Sequence, residues 1–217
     1  MVKAALSPRT RLIILANPNN PTGNLTPHED IITLAETGVP LMVDEAYYEF
    51  SGDTVLPLAE QYPNLMVLRT FSKWTGLAGL RVGYGVLPPE MVGYLLKIKM
   101  PYNVNAAAQV AVQASLQDMD TLRQNVRAIV AERARLLEQL QGLGWLKPYP
   151  SQANFIFCSV LQGKAGEIYR RLQQKGVLVR YFDQPLLQDS LRISVGKPEH
   201  TDTLMQALRE VEGEING

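Results

Sequence analysis

The sequence predicts an α/β fold with a mainly parallel sheet, followed by a small α+β domain. In the first half, short aliphatic runs alternate with helical or irregular stretches, which is typical of parallel strands joined by crossovers. A composition shift at Gly142-Leu143-Gly144 marks the second part, where the predicted elements are shorter. With 217 residues, of which 46 % are hydrophobic, the chain can bury the core of one large or two small domains.

Four strands are predicted in the first part, over 11–16, 39–43, 65–69 and 82–87. A turn-rich segment, 17–23, follows the first strand. Thr26 is expected to cap a helix that runs to about Glu36, because Pro27 and Glu29 stand at positions typical of a helix start. Another helix is expected to begin at Pro88-Pro89-Glu90.

Helical sequence precedes Gly142-Leu143-Gly144. An Ala- and Gln-rich stretch covers 105–116, and 120–140 has apolar residues at helical spacing, which indicates one long amphipathic helix. A strand over 154–158, a helix over 165–174, strands over 177–180 and 191–195, and a last helix from Pro198 follow. We therefore expect a partial large domain over 1–118, a long interdomain helix over 119–141 and a small C-terminal domain over 142–217.

Polar side chains follow three of the predicted strands. Asn20, Asp44 and Lys73 each come a few residues after a strand. Because ligands of open α/β sheets bind outside the carboxyl ends of the strands, we expect these side chains to lie at one edge.

This set has the chemistry needed to hold pyridoxal phosphate (PLP). The Lys73 amine can bond to the cofactor aldehyde and later move a proton, and the Asp44 carboxylate can face the pyridine nitrogen. Asn20 and Tyr47 can donate hydrogen bonds to the ring's phenolic oxygen. Other residues have fitting properties: Ala46 is small enough to lie against the ring, and hydroxyl or guanidinium groups suited to the phosphate come from Thr70, Ser72 and Arg81.

Each motif alone has an ordinary structural explanation. The Asn/Pro/Gly cluster at 17–23 could be only a turn, and the acids after the second strand could be solvated. Other sites find little support, since the two histidines, His28 and His200, lie far apart in the sequence and no dinucleotide or Walker loop is present. We expect no metal site, and Cys158 lies in an apolar run that favours the core.

The ordered set of motifs resembles the aspartate-aminotransferase superfamily of PLP enzymes, fold type I, and within it the histidinol-phosphate aminotransferases. The matching segments are Asn-Pro-Asn-Asn-Pro-Thr-Gly at 17–23, Val-Asp-Glu-Ala-Tyr-Tyr-Glu-Phe at 43–50, Thr-Phe-Ser-Lys at 70–73, Leu-Ala-Gly-Leu-Arg-Val-Gly-Tyr at 77–84, Pro-Tyr-Asn-Val-Asn at 101–105, Val-Leu-Val-Arg-Tyr-Phe at 177–182 and Leu-Arg-Ile-Ser-Val-Gly at 191–196. The resemblance implies a partial fold type I large domain and the same PLP roles for the residues above, with Lys73 as the catalytic lysine.

The resemblance also implies Arg192 as the anchor of the substrate's acidic group. Arg180 ends a predicted strand, and Arg192 nearly begins the next. Two guanidinium groups suit a dianion better than a single carboxylate, which fits the phosphate of histidinol phosphate. Asn103, in a Pro-led loop, is expected to line the substrate pocket.

The implied activity is exchange of an amino group between histidinol phosphate and 2-oxoglutarate in histidine biosynthesis, by a homodimer. An aromatic aminotransferase and a threonine-phosphate decarboxylase stay open within the fold. So does a non-catalytic remnant that serves as an interaction module, because the family's chains are longer at the N-terminus.

Charge and hydropathy limit the partners. Basic and acidic residues balance at 21 each, so nothing favours nucleic acid. No apolar run is long enough to span a bilayer and no signal sequence is evident, so we expect a cytoplasmic protein that binds small molecules and no membrane.

Overall fold

The computed structural model describes residues 2–161 and 163–216, with side chains as far as residue 214. It forms two compact units. The first unit contains Met1–Asn19 and Leu25–Asn125, and the second contains Asn20–Asn24 and Val126–Gly217. The predicted domain limits at 118 and 141 stay a prediction.

A four-stranded sheet forms the centre of the first unit. Strands β1 (Ile13–Ala16), β2 (Leu41–Asp44) and β3 (Leu65–Thr70) run parallel, and β4 (Gly83–Val86) pairs antiparallel with β3. Ala16 lies opposite Asp44, which in turn lies opposite Leu68. The carboxyl ends of the three parallel strands therefore meet at one edge, and the predicted mainly parallel α/β fold is confirmed.

Helices of the first unit connect and follow these strands. They are α1 (His28–Ala35), the short α2 (Tyr48–Ser51), α3 (Pro89–Ile98), α4 (Ala106–Gln117) and the start of α5 (Met119–Gln141), with 3-10 turns at Lys3–Ala5, Leu56–Glu60 and Ala78–Leu80. On one face of the sheet, Ile13, Leu41 and Val43 pack with α1. Burial of each such side chain contributes about 1.5–3 kcal/mol to folding.

The predicted cap of α1 at Thr26 is wrong. Pro27 is the N-cap residue, and no side chain caps this helix. The Thr26 N–H instead donates to Oδ1 of the buried Asn17 at 2.7 Å. Thr26 thus belongs to the loop after β1, where the Asn17 side chain holds its backbone.

A buried ionic cluster joins the ends of β2 and β3. Glu45, directly after β2, is fully buried, and its Oε2 accepts hydrogen bonds from Arg69 Nε at 3.0 Å and Nη2 at 2.9 Å. Thr54 Oγ1 lies 2.8 Å from both carboxylate oxygens, and the Arg69 guanidinium stacks 3.7 Å from the centre of the Tyr48 ring. We call these four residues the Glu45 cluster.

The second unit is built on an antiparallel sheet of order β5-β6-β8-β7. Its strands are β5 (Leu146–Pro148), β6 (Phe155–Val160), β7 (Arg180–Tyr181) and β8 (Ser190–Ser194), and the rest of α5, α6 (Ala165–Gln174) and α7 (Pro198–Asn216) accompany them. β5 was not expected, and the strand predicted over 177–180 is limited to β7.

The core of the second unit includes the single cysteine. Cys158 is fully buried beside residues of β8, α6 and α7. Burial raises the pKa of its thiol to about 12, so the thiolate is not formed near neutral pH. The interpretation of Cys158 as a core residue is confirmed.

Stability of the first unit is expected to depend on pH through Glu49 in α2. Burial raises the pKa of Glu49 from 4.5 to about 7, an effect that nearby Glu45 supports and Arg69 opposes. A carboxyl with a higher pKa in the folded state binds its proton more tightly there, so this stabilisation is lost as pH rises from about 4.5 through 7. The shift sets an upper limit of about 3 kcal/mol, and partial exposure reduces it.

Urea unfolding of wild type and Glu49→Gln across this pH range measures the effect. The variant should lose the part of the unfolding free energy that changes with pH through Glu49, and it should be more stable than wild type above about pH 7. Glu60→Gln, at an exposed glutamate, is the control and should keep the wild-type slope. Parallel pH profiles for wild type and Glu49→Gln would contradict the expectation.

Candidate active site

Asp44 is the last residue of β2 and lies at the carboxyl edge of the parallel strands. Its Oδ1 accepts a hydrogen bond from the Ala46 N–H at 3.0 Å. This bond fixes the carboxylate on the loop that follows and presents the backbone at Ala46 beside it. Among the described residues no hydrogen bond to Oδ2 is found, so half of the carboxylate is free to accept a further donor.

Lys73 and Tyr47 meet at the same edge. Tyr47 is buried in the loop after β2, and Lys73 is exposed in the loop after β3. The Lys73 ammonium lies 5.5 Å from the centre of the Tyr47 ring, within the range of a cation–π contact. Within the described part of the chain the ammonium has no hydrogen-bond or ion-pair partner. An amine held against an aromatic ring and otherwise unengaged is available for covalent chemistry.

The turn that carries Lys73 is organised by Thr70. The Thr70 hydroxyl donates to the Val82 carbonyl at 3.2 Å and accepts from the Ser72 N–H at 3.0 Å. Arg81 adopts the left-handed conformation with φ 56°, and its Nη1 donates to the Ala78 carbonyl at 2.9 Å. Hydroxyl groups and an exposed guanidinium thus flank the loop of Lys73, as phosphate binding requires.

Asn20 belongs to the second unit, although it follows β1 in sequence. Its Oδ1 accepts from Arg192 Nη1 at 2.7 Å. Because a guanidinium only donates, the amide oxygen must face Arg192, and the Asn20 Nδ2 has no acceptor among the residues that the structure describes. The structure therefore brings Asn20 together with a residue that lies far from it in the sequence.

The loop Asn20–Asn24 is held by a turn of the second unit. Gly23 has φ 77°, and its carbonyl accepts from the Gln152 N–H at 2.7 Å. A Cβ at residue 23 would overlap Ser151 Oγ. Glycine is therefore required both by the backbone angle and by the close approach of Ser151.

Arg180 and Arg192 are directly opposite each other on β7 and β8. Side chains of opposite residues in an antiparallel pair share one face, so two like charges are neighbours there. The Arg192 guanidinium lies 4.9 Å from the centre of the Phe155 ring, and within the described ranges its buried Nε has no hydrogen-bond partner. Arg180 is exposed and lies 5.4 Å from the centre of the Phe182 ring. Two like charges therefore lie side by side on one face of the sheet.

Asn103 makes none of the contacts that join the other predicted residues. It lies in the first unit, is exposed, and its Oδ1 accepts from Lys99 Nζ at 3.2 Å. Its role in substrate binding stays a prediction.

Residues of structural importance near the site were missed in the sequence. Glu45 and Arg69 form the centre of the Glu45 cluster, and Asn17 orders the loop after β1. An available signal was the pair of acids at the end of β2, Asp44 and Glu45, since successive side chains there point in opposite directions and only one of them can face a ligand at the edge. An arginine at the end of the next strand was a suitable partner for the other acid.

The described residues show neither a metal-ion cluster nor a membrane-spanning helix. In 2–161 and 163–216, no group of three His, Cys, Asp or Glu side chains is arranged to hold a metal ion. None of the helices in those ranges is both long and apolar enough to cross a membrane. The His28 Nε2 lies 2.8 Å from Asp53 Oδ1, which gives this histidine a structural partner.

The sequence and the fold of this chain are similar to those of one protein family. The family model for aminotransferase class I and II matches residues 2–208. The histidinol-phosphate aminotransferase of Dehalococcoides mccartyi is 53 % identical over 97 % of the chain, which spans 59 % of that relative's length. The solved histidinol-phosphate aminotransferase of Clostridium acetobutylicum has a TM-score of 0.87 at 26 % identity, over 94 % of this chain and 64 % of that one.

A second solved structure is that of histidinol-phosphate aminotransferase from Sinorhizobium meliloti in complex with pyridoxal-5'-phosphate. It has a TM-score of 0.86 at 32 % identity, over 94 % of this chain and 58 % of that one. The family match covers nearly the whole sequence and both units. The chain therefore belongs to the class I and II aminotransferases.

Proposed function

We propose that this chain forms the lysine-bearing part of a PLP-dependent aminotransferase that exchanges an amino group between histidinol phosphate and 2-oxoglutarate in histidine biosynthesis. The observation that carries the proposal is the Lys73 ammonium, unengaged by hydrogen bonds and held 5.5 Å from the Tyr47 ring. The sheet edge that ends in Asp44 supports the same chemistry.

The donor set fits pyridoxal phosphate. Bound PLP supplies an electron sink for the carbanion that forms at the substrate carbon. The free Oδ2 of Asp44 would face the pyridine nitrogen and keep it protonated, and Ala46, which holds Oδ1, would lie against the ring. The Asn20 Nδ2, left free by Arg192, and the Tyr47 hydroxyl would donate to the phenolic oxygen.

Lys73 would hold the cofactor covalently and act as the base. Once the substrate amine has freed it, the Lys73 amine would take up the proton of the substrate carbon and later give it back. Thr70, Ser72 and Arg81 would bind the cofactor phosphate from the loop on either side of Lys73, which fixes that loop relative to the reacting atoms.

The substrate preference follows from the arginine pair. Opposite guanidinium groups on β7 and β8 repel each other unless an anion lies between them, and a phosphate dianion can accept from both. We assign Arg180 and Arg192 to the substrate's phosphate, and Asn103 to the lining of the pocket. The names of the relatives support histidinol phosphate as that substrate.

We further propose a homodimeric assembly in the cytoplasm. Large apolar side chains on and after α3 are exposed, among them Leu96, Ile98 and Met100. Such a concentration of exposed apolar surface is typical of an interface. The family resemblance implies that a second copy of this chain covers this surface.

Lys73→Ala and Asp44→Asn test the cofactor assignment. Lys73→Ala should abolish borohydride-fixed labelling by PLP, since no other amine would be held in the same place. Asp44→Asn should still bind PLP but lower kcat at least a hundredfold, because a neutral amide cannot keep the pyridine nitrogen protonated.

Visible absorbance, mass spectrometry of the labelled peptide and single-turnover kinetics measure these effects. Lys97→Ala, at an exposed lysine on α3, is the control and should leave labelling unchanged. A wild-type protein that stays colourless with excess PLP would favour the non-catalytic interaction module instead.

Arg180→Gln tests the substrate assignment. Loss of a charge-assisted hydrogen bond costs about 1.5–3 kcal/mol, so kcat/KM for histidinol phosphate should fall roughly ten- to hundredfold while that for tyrosine changes little. Arg170→Gln, at an exposed arginine on α6, is the matched control. Faster turnover of tyrosine or of threonine phosphate than of histidinol phosphate by the wild type would replace the proposed substrate with one of the two alternatives.

A further inference from the structure

Glu45 is a buried carboxylate that none of the proposed steps uses. Among the described residues it is the one acidic side chain with no exposed surface. Removing an unpaired carboxylate from water costs several kcal/mol, so burial requires that both oxygens be satisfied. Glu45 lies between Asp44 and Ala46 in the chain, so the groups that satisfy its carboxylate are close to the proposed cofactor site.

The hydrogen bonds of Glu45 come from two other segments of the first unit. Oε2 accepts from Arg69 Nε and Nη2, and Oε1 accepts from the Val55 N–H at 2.7 Å. The Thr54 hydroxyl bridges the pair, because it lies 2.8 Å from Glu45 and also 2.8 Å from Arg69 Nη2. The carboxylate is therefore tied at once to β3 and to the loop after α2.

The hydrogen bonds of Glu45 reach residues that are adjacent in sequence to the proposed site residues. Arg69 directly precedes Thr70, whose hydroxyl organises the loop of Lys73. The Glu45 N–H donates to the Leu68 carbonyl at 2.8 Å, and the Glu45 carbonyl accepts from the Tyr48 N–H at 3.0 Å. Backbone and side chain of Glu45 thus both connect the loop after β2 with the end of β3.

We propose that Glu45 is a positioning residue. Its carboxylate, through Arg69 and Thr54, holds the end of β2 and the loops that carry Tyr47 and Lys73 in one arrangement. The inference rests on the proposed function for its catalytic consequence. Its structural part concerns the loops themselves and holds without the cofactor. A closed set of charge-assisted hydrogen bonds is directional, so it fixes loop geometry in a way that apolar packing does not.

Glu45→Gln is the test, with Glu132→Gln as the matched control. Glutamine keeps the size of the side chain but turns an NH2 group toward a donor and leaves Arg69 without a counter-charge. Glu132 is likewise a buried glutamate held by an arginine, Arg135 at 2.8 Å, but it lies in the second unit.

Hydrogen exchange of the protein without added PLP gives the first readout. Glu45→Gln should speed exchange about tenfold or more in peptides covering 44–55 and 69–75, with peptides of the second unit unchanged. Glu132→Gln should leave 44–55 and 69–75 unchanged. Should Glu45→Gln fail to fold, Thr54→Val removes the bridging hydroxyl, keeps the ion pair and should speed exchange in the same two segments to a smaller extent.

Kinetics with PLP give the second readout. Glu45→Gln should bind PLP about tenfold more weakly and lower kcat, with KM for histidinol phosphate nearly unchanged, because Arg180 and Arg192 belong to the other unit. Wild-type exchange in both segments of a folded Glu45→Gln or Thr54→Val protein would overturn the inference. A wild type that binds no PLP would overturn the proposed function alone, since the exchange measurement decides the positioning role by itself.

Discussion

The parallel register of β1, β2 and β3 is the constraint on which the site in the first unit depends. Because Ala16, Asp44 and Leu68 are in line, residues that follow each strand emerge at one edge whatever the length of the intervening chain. Asp44 needs no long-range contact of its own to be placed there, and Lys73 reaches Tyr47 from the next loop. Strand register thus fixes the relative positions of distant chain segments, as a disulfide or a metal ion does in smaller folds. The aliphatic side chains on the buried face of the sheet maintain this register.

Two pairs of charged side chains, one in each unit, differ in whether they include a counter-charge. In the first, the Glu45 carboxylate and the Arg69 guanidinium satisfy each other away from solvent. In the second, Arg180 and Arg192 face the same side of the sheet, and no carboxylate pairs with them among the described residues. A paired buried charge maintains structure, whereas an unpaired cation pair is available to a ligand. This contrast separates the residues that support the site from those that we assign to substrate.

The sequence predicted the elements whose information is local. Aliphatic runs located the strands, and the residues after them located Asp44 and Lys73. Prediction failed where a distant side chain decided the outcome. Thr26 has the local features of a helix cap, but its backbone N–H donates to the Asn17 side chain and Thr26 lies in the loop before the helix. The bond from Arg192 to Asn20 and the contact of Gly23 with Ser151 likewise join residues that no periodicity connects. Glu45 was overlooked because its partners, Arg69 and Thr54, come from other segments.

The assignment of Asn20–Asn24 to the second unit has a consequence for how the chain can be divided. The chain contributes to the second unit twice. It does so first with Asn20–Asn24 and again from Val126, within α5, onward. A single cut inside α5 would therefore not separate all residues of the first unit from all residues of the second. A chain cut inside α5 would carry Asn20–Asn24 on one fragment and Ser151 and Arg192 on the other. The contacts between these residues would then have to form between two separate polypeptides.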